Sequence, residues 1–161
     1  MFKPTYMVHS VNDIEKDFFK KENIKLVLCD IDNTLVADNE PYADDSAKKF
    51  VARMKQEEIE LCLVSNNTRS RVDSFNSDFG LEYIYRARKP FCYKMDRLIR
   101  KKNADKDKVL FIGDQLLTDI PAGNRCKIRT MLVDPINISK ENTFFKLKRF
   151  IEKKLLNRNF R

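Results

Sequence analysis

Asp30 and Asp32 stand one residue apart at the end of a short apolar run, Val27-Leu28-Cys29, and are followed by Asn33-Thr34. Side chains of a strand alternate between its faces, so both carboxyl groups can lie on one side at the strand's C-terminal end. Like charges placed that close repel unless a cation, a proton or a third group separates them. The pair therefore asks for a divalent metal, or for one carboxyl that carries a proton. Groups of complementary type follow along the chain: Ser65-Asn66-Asn67, Lys89, and Asp114 with Asp119. Carboxylates combined with hydroxyl, amide and ammonium groups make a hard-oxygen site with anion-binding partners. Magnesium prefers one or two carboxylates, waters and phosphate oxygens. That combination fits phosphoryl transfer, where positioning and charge neutralisation do most of the catalysis. One carboxylate can act as nucleophile and form an aspartyl-phosphate. Its neighbour two residues on can protonate the leaving oxygen and then activate water.

The elements around these residues alternate between strand and helix. Residues 24–30 read as a strand whose apolar continuity predicts burial on both faces. Residues 32–44 form a polar loop broken by Pro41. Residues 45–57 predict a helix, with Ala47, Phe50, Val51 and Met54 at i, i+3, i+4 and i+7. A second buried strand over 60–65 ends at Ser65. A helix over 70–79 stops at Gly80, and a short strand over 82–85 leads to Arg88-Lys89-Pro90. Pro90 is placed to open the helix carrying Phe91, Met95, Leu98 and Ile99. A strand over 109–112, a helix over 120–126 and a strand over 129–133 follow, then a last helix over about 142–157. At the other end Ser10 can cap a helix over 11–22, making residues 1–23 an N-terminal helical segment. Strands alternating with helices mean an α/β fold with a parallel sheet covered on both faces. Ligands of such sheets bind beyond the carboxyl ends of the strands, which is where the four polar loops fall.

Composition sets the frame. At 161 residues, 42% hydrophobic and 35% charged, the chain suits one soluble globular domain. No apolar run approaches the roughly 18–20 residues needed to span a bilayer, and the N-terminus lacks the plan of a signal peptide. Cytoplasmic residence is the expectation. Four widely spaced cysteines without a CxxC, and one histidine, His9, make a zinc site a poor reading. The cysteines read as buried, reduced and structural, and His9 as a surface or packing residue. Net charge is +8, of which residues 140–161, with eight basic and two acidic side chains, supply +6. In that tail Phe144, Leu147, Ile151 and Leu155 form an apolar stripe beside six basic residues. The helix can cover the sheet or lie peripherally on an anionic membrane.

The motifs together resemble the haloacid dehalogenase (HAD) superfamily. Asp30-Ile31-Asp32-Asn33-Thr34 matches its DxDxT motif, Ser65 its Ser/Thr motif and Lys89 its lysine. Gly113-Asp114 through Asp119 matches its GDxxxxD motif. Ser65-Asn66-Asn67, Arg71-Val72, Arg88-Lys89-Pro90 and Gly123-Asn124-Arg125 are similar to the YqeG-type branch, itself similar to the phosphatidylglycerophosphate phosphatases of mitochondria and plastids. The resemblance implies a three-layer α/β/α sandwich with a Rossmann-like sheet. It implies Asp30 as nucleophile and Asp32 as general acid/base. Ser65 and the backbone amide of Asn66 would bind the phosphoryl group, and Lys89 would neutralise charge. Mg2+ would be held by Asp30, Asp114 and the carbonyl of Asp32, with Asp119 supporting the metal waters or Lys89. Asn33, Thr34 and Asn67 would complete the phosphate site. Gln115, Thr118, Asn124 and Arg125 either line its rim or brace loops.

Each residue has a plainer reading: Ser65 as a strand-end cap, Lys89 as a solvated charge, Asp119 as a helix N-cap. Their occurrence together, in order, favours the site. Many HAD enzymes carry a cap domain, but the intervals from Asp32 to Ser65 and from Ser65 to Lys89 leave no room for one. An open site admits large substrates. The implied reaction is hydrolysis of a phosphomonoester, with a phospholipid head group as the implied substrate. A phosphoprotein, a nucleic acid end or a soluble metabolite is the enzymatic alternative. A non-catalytic RNA- or ribosome-binding module is the alternative of another class.

Overall fold

A computed structural model of the chain describes residues 1–137. Six strands, β1 (Tyr6–Val8), β2 (Leu26–Cys29), β3 (Glu60–Val64), β4 (Tyr83–Ile84), β5 (Val109–Gly113) and β6 (Arg129–Val133), form one parallel sheet in the order β1-β6-β5-β2-β3-β4. Five α-helices accompany them: α1 (Phe18–Lys21), α2 (Asp45–Gln56), α3 (Arg69–Asn76), α4 (Tyr93–Lys101) and α5 (Asp119–Cys126). From β2 the chain builds outward through β3 to β4, then crosses back to β5 on the other side of β2. The strand order reverses between β2 and β5, and a crevice opens at such a reversal. Asp30 and Asp114 follow these two strands.

The three-layer prediction holds. Alternate residues of the central strands enter two separate cores. Val27, Cys29, Leu61, Leu63, Leu110 and Ile112 pack with Ala47, Phe50 and Met54 of α2 and Val72 and Phe75 of α3. Leu26, Leu28, Cys62, Val64, Val109 and Phe111 pack with Met95, Leu98 and Ile99 of α4 and Ala122 and Cys126 of α5. Both faces of the sheet are thereby dry, as the continuous apolar strands require.

The N-terminal helix expected over 11–22 is not formed as one element. A 3-10 turn at Val11–Asp13 and the short α1 flank an extended Ile14 (φ −63°, ψ 125°). The cause is tertiary: the Arg53 guanidinium takes the carbonyls of Ile14 and Glu15, each at 2.7 Å. Acceptors engaged in this way are lost to a helix ladder. Ahead of it lies β1, an edge strand absent from the sequence reading, pairing in parallel with β6. Pro90 precedes α4 by three residues rather than opening it, in a turn closed by Phe91 N–H to Arg88 O at 2.9 Å; the Lys89–Pro90 peptide is cis.

The segment from Asp32 to Ser65 contains α2 and β3, and that from Ser65 to Lys89 contains α3 and β4, so neither holds a cap domain. Among the described residues no helix is long and apolar enough to cross a membrane. The tail helix expected over 142–157 lies outside the described residues.

Candidate active site

The backbone turns sharply as it leaves β2. Asn33 sits in the left-handed region (φ 61°), its N–H bonds Val36 O at 2.7 Å, and Leu35 N–H bonds Ile31 O at 2.9 Å. Asparagine tolerates this conformation better than most residues. Its side-chain oxygen accepts from Asp38 N and Asn137 N, each at 3.3 Å, so Asn33 ties the loop after β2 to the loop after β6. The turn swings Thr34 back against the strand end, where its buried hydroxyl lies 3.2 Å from Asp30 Oδ2 and 3.4 Å from Asp114 Oδ1.

Lys89 reaches the same point from the loop after β4. Its ammonium donates to Asp30 Oδ1 at 2.5 Å and to Val64 O at 3.2 Å, and lies 2.8 Å from Asp119 Oδ1. The contact with Asp119 is an ion pair without the alignment of a hydrogen bond. Asn66 fixes the lysine backbone from both sides, its Oδ1 accepting from Lys89 N at 2.7 Å and its Nδ2 donating to Lys89 O at 3.1 Å. The amide side chain of Asn66 is therefore a brace. Ser65 is buried at the end of β3, its Oγ accepting from Asn67 N at 3.0 Å. Asp119 starts α5, and its Oδ2 accepts from Gln115 N at 3.0 Å. Gly113 leaves the room for this: a Cβ there would overlap the Asp119 side chain.

Asp30, Asp114 and Asp119 are all buried, and each offers a carboxylate oxygen within 4.8 Å of the others. Three carboxylates face one ammonium, so the cluster in its ionised form is two charges short of neutral. A divalent cation matches both that deficit and the hard-oxygen donors. Without one, burial raises the Asp30 carboxyl well above the usual carboxylate range; the Lys89 charge opposes this, and the charges of Asp119 and Asp114 add to it. Burial works against the Lys89 ammonium too, but Asp119 and Asp30 outweigh it and its pKa is raised. Lys89 stays charged at any physiological pH.

Asp32 is set apart from this cluster. Its Oδ1 accepts from Arg71 Nε at 3.0 Å and forms an ion pair with Nη2 at 2.9 Å that lacks hydrogen-bond alignment, and its Oδ2 accepts from Asn67 Nδ2 at 3.3 Å. The Asp32 carboxylate therefore stands outside the cluster of Asp30, Asp114 and Asp119, and the metal role that the resemblance implies for Asp32 belongs to its backbone carbonyl. It lines the adjoining cavity of about 430 Å³, along with Asp30, Ser65, Lys89, Gln115 and Thr118. Asn124 and Arg125 act elsewhere as braces: Asn124 holds the carbonyls of Met1 and Lys3, and Arg125 that of Pro90. His9 is exposed and pairs with Asp134, and all four cysteines are free thiols.

Comparison with known proteins agrees with this geometry. A family model described as HAD-hydrolase-like matches residues 86–137. "Probable phosphatase YqeG" of Bacillus subtilis (strain 168) is 35% identical over 155 residues, covering 96% of this chain and 90% of that protein. The chain belongs to the YqeG family of HAD hydrolases. Among solved structures, an uncharacterized protein from Listeria monocytogenes serotype 4b superposes with a TM-score of 0.57 at 17% identity, over 74% of this chain and 85% of that one. The 3-deoxy-D-manno-octulosonate 8-phosphate phosphatase from Yersinia pestis gives 0.56 at 15% identity, over 76% of this chain and 71% of that one. At these identities the two structures bear on the fold, which is the parallel HAD sheet. As a YqeG-family member, the chain is a HAD-type phosphatase, a hydrolase of phosphate monoesters.

Proposed function

We propose that Asp30 is the nucleophile of a magnesium-dependent phosphatase whose substrate is phosphatidylglycerophosphate, cleaved to phosphatidylglycerol and inorganic phosphate. The observation that carries the chemistry is the buried convergence of Asp30, Lys89, Asp114 and Asp119 at the crevice between β2 and β5. A carboxylate oxygen of Asp30 attacks phosphorus and the bond to the leaving oxygen breaks, giving an aspartyl-phosphate. Asp32, on the cavity wall, gives its proton to the departing alkoxide. It then takes one from the water that attacks the acyl phosphate, which releases phosphate and restores Asp30. Lys89 and Thr34 hold the two oxygens of Asp30 in place. Lys89 also opposes the charge that gathers on the phosphoryl oxygens, an electrostatic contribution that is large in a dry site. Ser65 Oγ and the backbone N–H of Asn66 bind those oxygens. Mg2+ would be held by Asp30, Asp114 and the carbonyl of Asp32, and would supply charge neutralisation on the transferring phosphoryl group. Asp119 acts through Lys89.

The lipid substrate rests on a resemblance and on one feature of the site. The YqeG branch is similar in sequence to the lipid phosphatases named above. The cavity also opens without a cap domain, so a head group attached to a bilayer can enter. The reading places the protein in the cytoplasm and peripherally on an anionic membrane. Phosphate release from phosphatidylglycerophosphate in mixed micelles with Mg2+ tests it, with p-nitrophenyl phosphate in parallel. Faster cleavage of the lipid than of the aryl ester supports the assignment. Cleavage of the aryl ester alone would keep the chemistry and remove the lipid, moving a soluble phosphate ester or phosphoprotein ahead.

A further inference from the structure

Asp32 is held by Arg71, a side chain to which the resemblance of the Arg71-Val72 stretch assigns no role. Arg71 belongs to the first turn of α3, whose N-cap Thr68 accepts from Arg71 N at 3.3 Å, and the next residue, Val72, is buried in the core. Its base is therefore fixed. Its guanidinium points Nε and Nη2 at one oxygen of Asp32, at 3.0 and 2.9 Å, while Nη1 donates to Pro41 O at 2.9 Å. Asn67 holds the other oxygen of Asp32. Both partners are mostly withdrawn from water, the Arg71 side chain 13% and the Asp32 side chain 20% exposed. Charge-assisted contacts from a rigid planar fork are stronger and more directional than an ammonium could make.

We infer that Arg71 is the positioning residue for Asp32, fixing the acid/base carboxylate and the loop at Pro41 as one unit. The inference rests on the reading of Asp32 as general acid/base. A carboxylate on an open loop has many rotamers, and proton transfer requires one of them within hydrogen-bond reach of the leaving oxygen. With no cap domain between the motifs to press Asp32 into place, the fork from α3 and the Asn67 amide impose that rotamer from below. The contact to Pro41 joins the same guanidinium to the segment that follows the turn at Asn33. Arg71 does not line the cavity and needs no contact with substrate. A brace for the loop alone would require only the Pro41 bond; the hydrogen bonds from Arg71 Nε and Asn67 Nδ2 to the Asp32 carboxylate, with the Nη2 ion pair beside them, require a further purpose.

The dependence of kcat/KM on leaving-group pKa separates orientation of an acid from stability. kcat/KM reports the steps up to departure of the leaving group. A nitrophenolate leaves without a proton, whereas phenolate and glycerol alkoxide need one increasingly. For p-nitrophenyl, phenyl and glycerol phosphates with Mg2+, Arg71→Met is expected to lower kcat/KM about tenfold or more for the glycerol ester, part of the 10²–10⁴ typical of general acid catalysis. The nitrophenyl ester should change by less than about threefold. Arg71→Lys keeps the charge and loses the fork, and should give a bias of the same sign and smaller size. Asp32→Ala should show the largest bias. Equal losses on all three esters in both Arg71 variants, with the Asp32→Ala bias intact, would overturn the inference and leave the acid/base reading standing. No bias in Asp32→Ala would overturn both, and would locate the failure at Asp32.

Discussion

Lys89 Nζ stands 2.8 Å from Asp119 Oδ1, and the two side chains are 3% and 1% exposed. The same ammonium reaches Asp30, so one buried cation serves the nucleophile and the helix-start aspartate together. Removing one partner of such a group strands the others without water, which typically costs about 3–5 kcal/mol.

Lys89→Met should therefore lower both activity and stability. Phosphatase activity is expected to fall at least about a hundredfold, in keeping with the weight of electrostatic groups in such sites. Urea unfolding in EDTA should show a loss of about 3 kcal/mol. The sign with pH follows from the raised lysine pKa. The stabilisation it gives is fully present below the ordinary lysine value near 10.4 and is lost only as pH rises through the higher folded value. The gap between wild type and variant should thus not narrow from pH 6 to 9, and should widen where the carboxyls left without Lys89 lose their protons; a gap that closes across that range would contradict the pairing.

Gly113→Ala places a Cβ against the Asp119 side chain. Forced displacement in a packed core costs about 1–3 kcal/mol, and the Asp119 contact with Lys89 shifts with it. Activity should fall by more than the stability loss alone explains at temperatures where the variant is folded. A variant with wild-type kcat would show that Asp119 has slack the structure does not suggest.

The acidic cluster predicts a stabilising response to a divalent cation. Mg2+ added to EDTA-treated protein should raise Tm, since a ligand at a hundred times its Kd contributes about 2.7 kcal/mol. Asp114→Asn removes one carboxylate from the crowded cluster. It should match or exceed wild-type Tm in EDTA, because like-charge repulsion is relieved, and should lose most of the Mg2+ response. An undiminished response in the variant would place the cation elsewhere.

The thiols should differ sharply in reactivity. Burial pushes Cys62 up to about 11 and raises Cys29 and Cys126 as well, while Cys92 is half-buried. At pH 8, iodoacetamide should label Cys92 in the native protein, and all four cysteines of the chain after denaturation. Prompt labelling of Cys29 would mean that β2 is open to solvent.

Much of this was legible in the sequence because it is local. Asp30, Ser65 and Asp114 each follow a buried apolar run, and the rule for parallel sheets brings such strand ends together without further information. The helices α2 and α5 fall within a residue or so of their predicted bounds, since period and caps sit in the same few residues. What escaped depends on partners far along the chain. β1 is three residues long and exists through its pairing with β6. The break in residues 11–22 is imposed by Arg53, about 40 positions away. Arg71 stands in a stretch that resembles the YqeG-type branch, but its contact with Asp32 shows only when α3 is laid beside the loop after β2, since that distance is set by packing, which leaves no mark in either local sequence.

Every role proposed for the site depends on Asp30 as nucleophile. The most direct measurement is acid-quench of the enzyme during turnover of p-nitrophenyl phosphate with Mg2+, followed by peptide mass spectrometry. The prediction is a phosphoryl adduct, labile to hydroxylamine, on the peptide containing Asp30 and absent in Asp30→Asn, which also releases no phosphate. Continued turnover by Asp30→Asn, or an adduct on another residue, would contradict it.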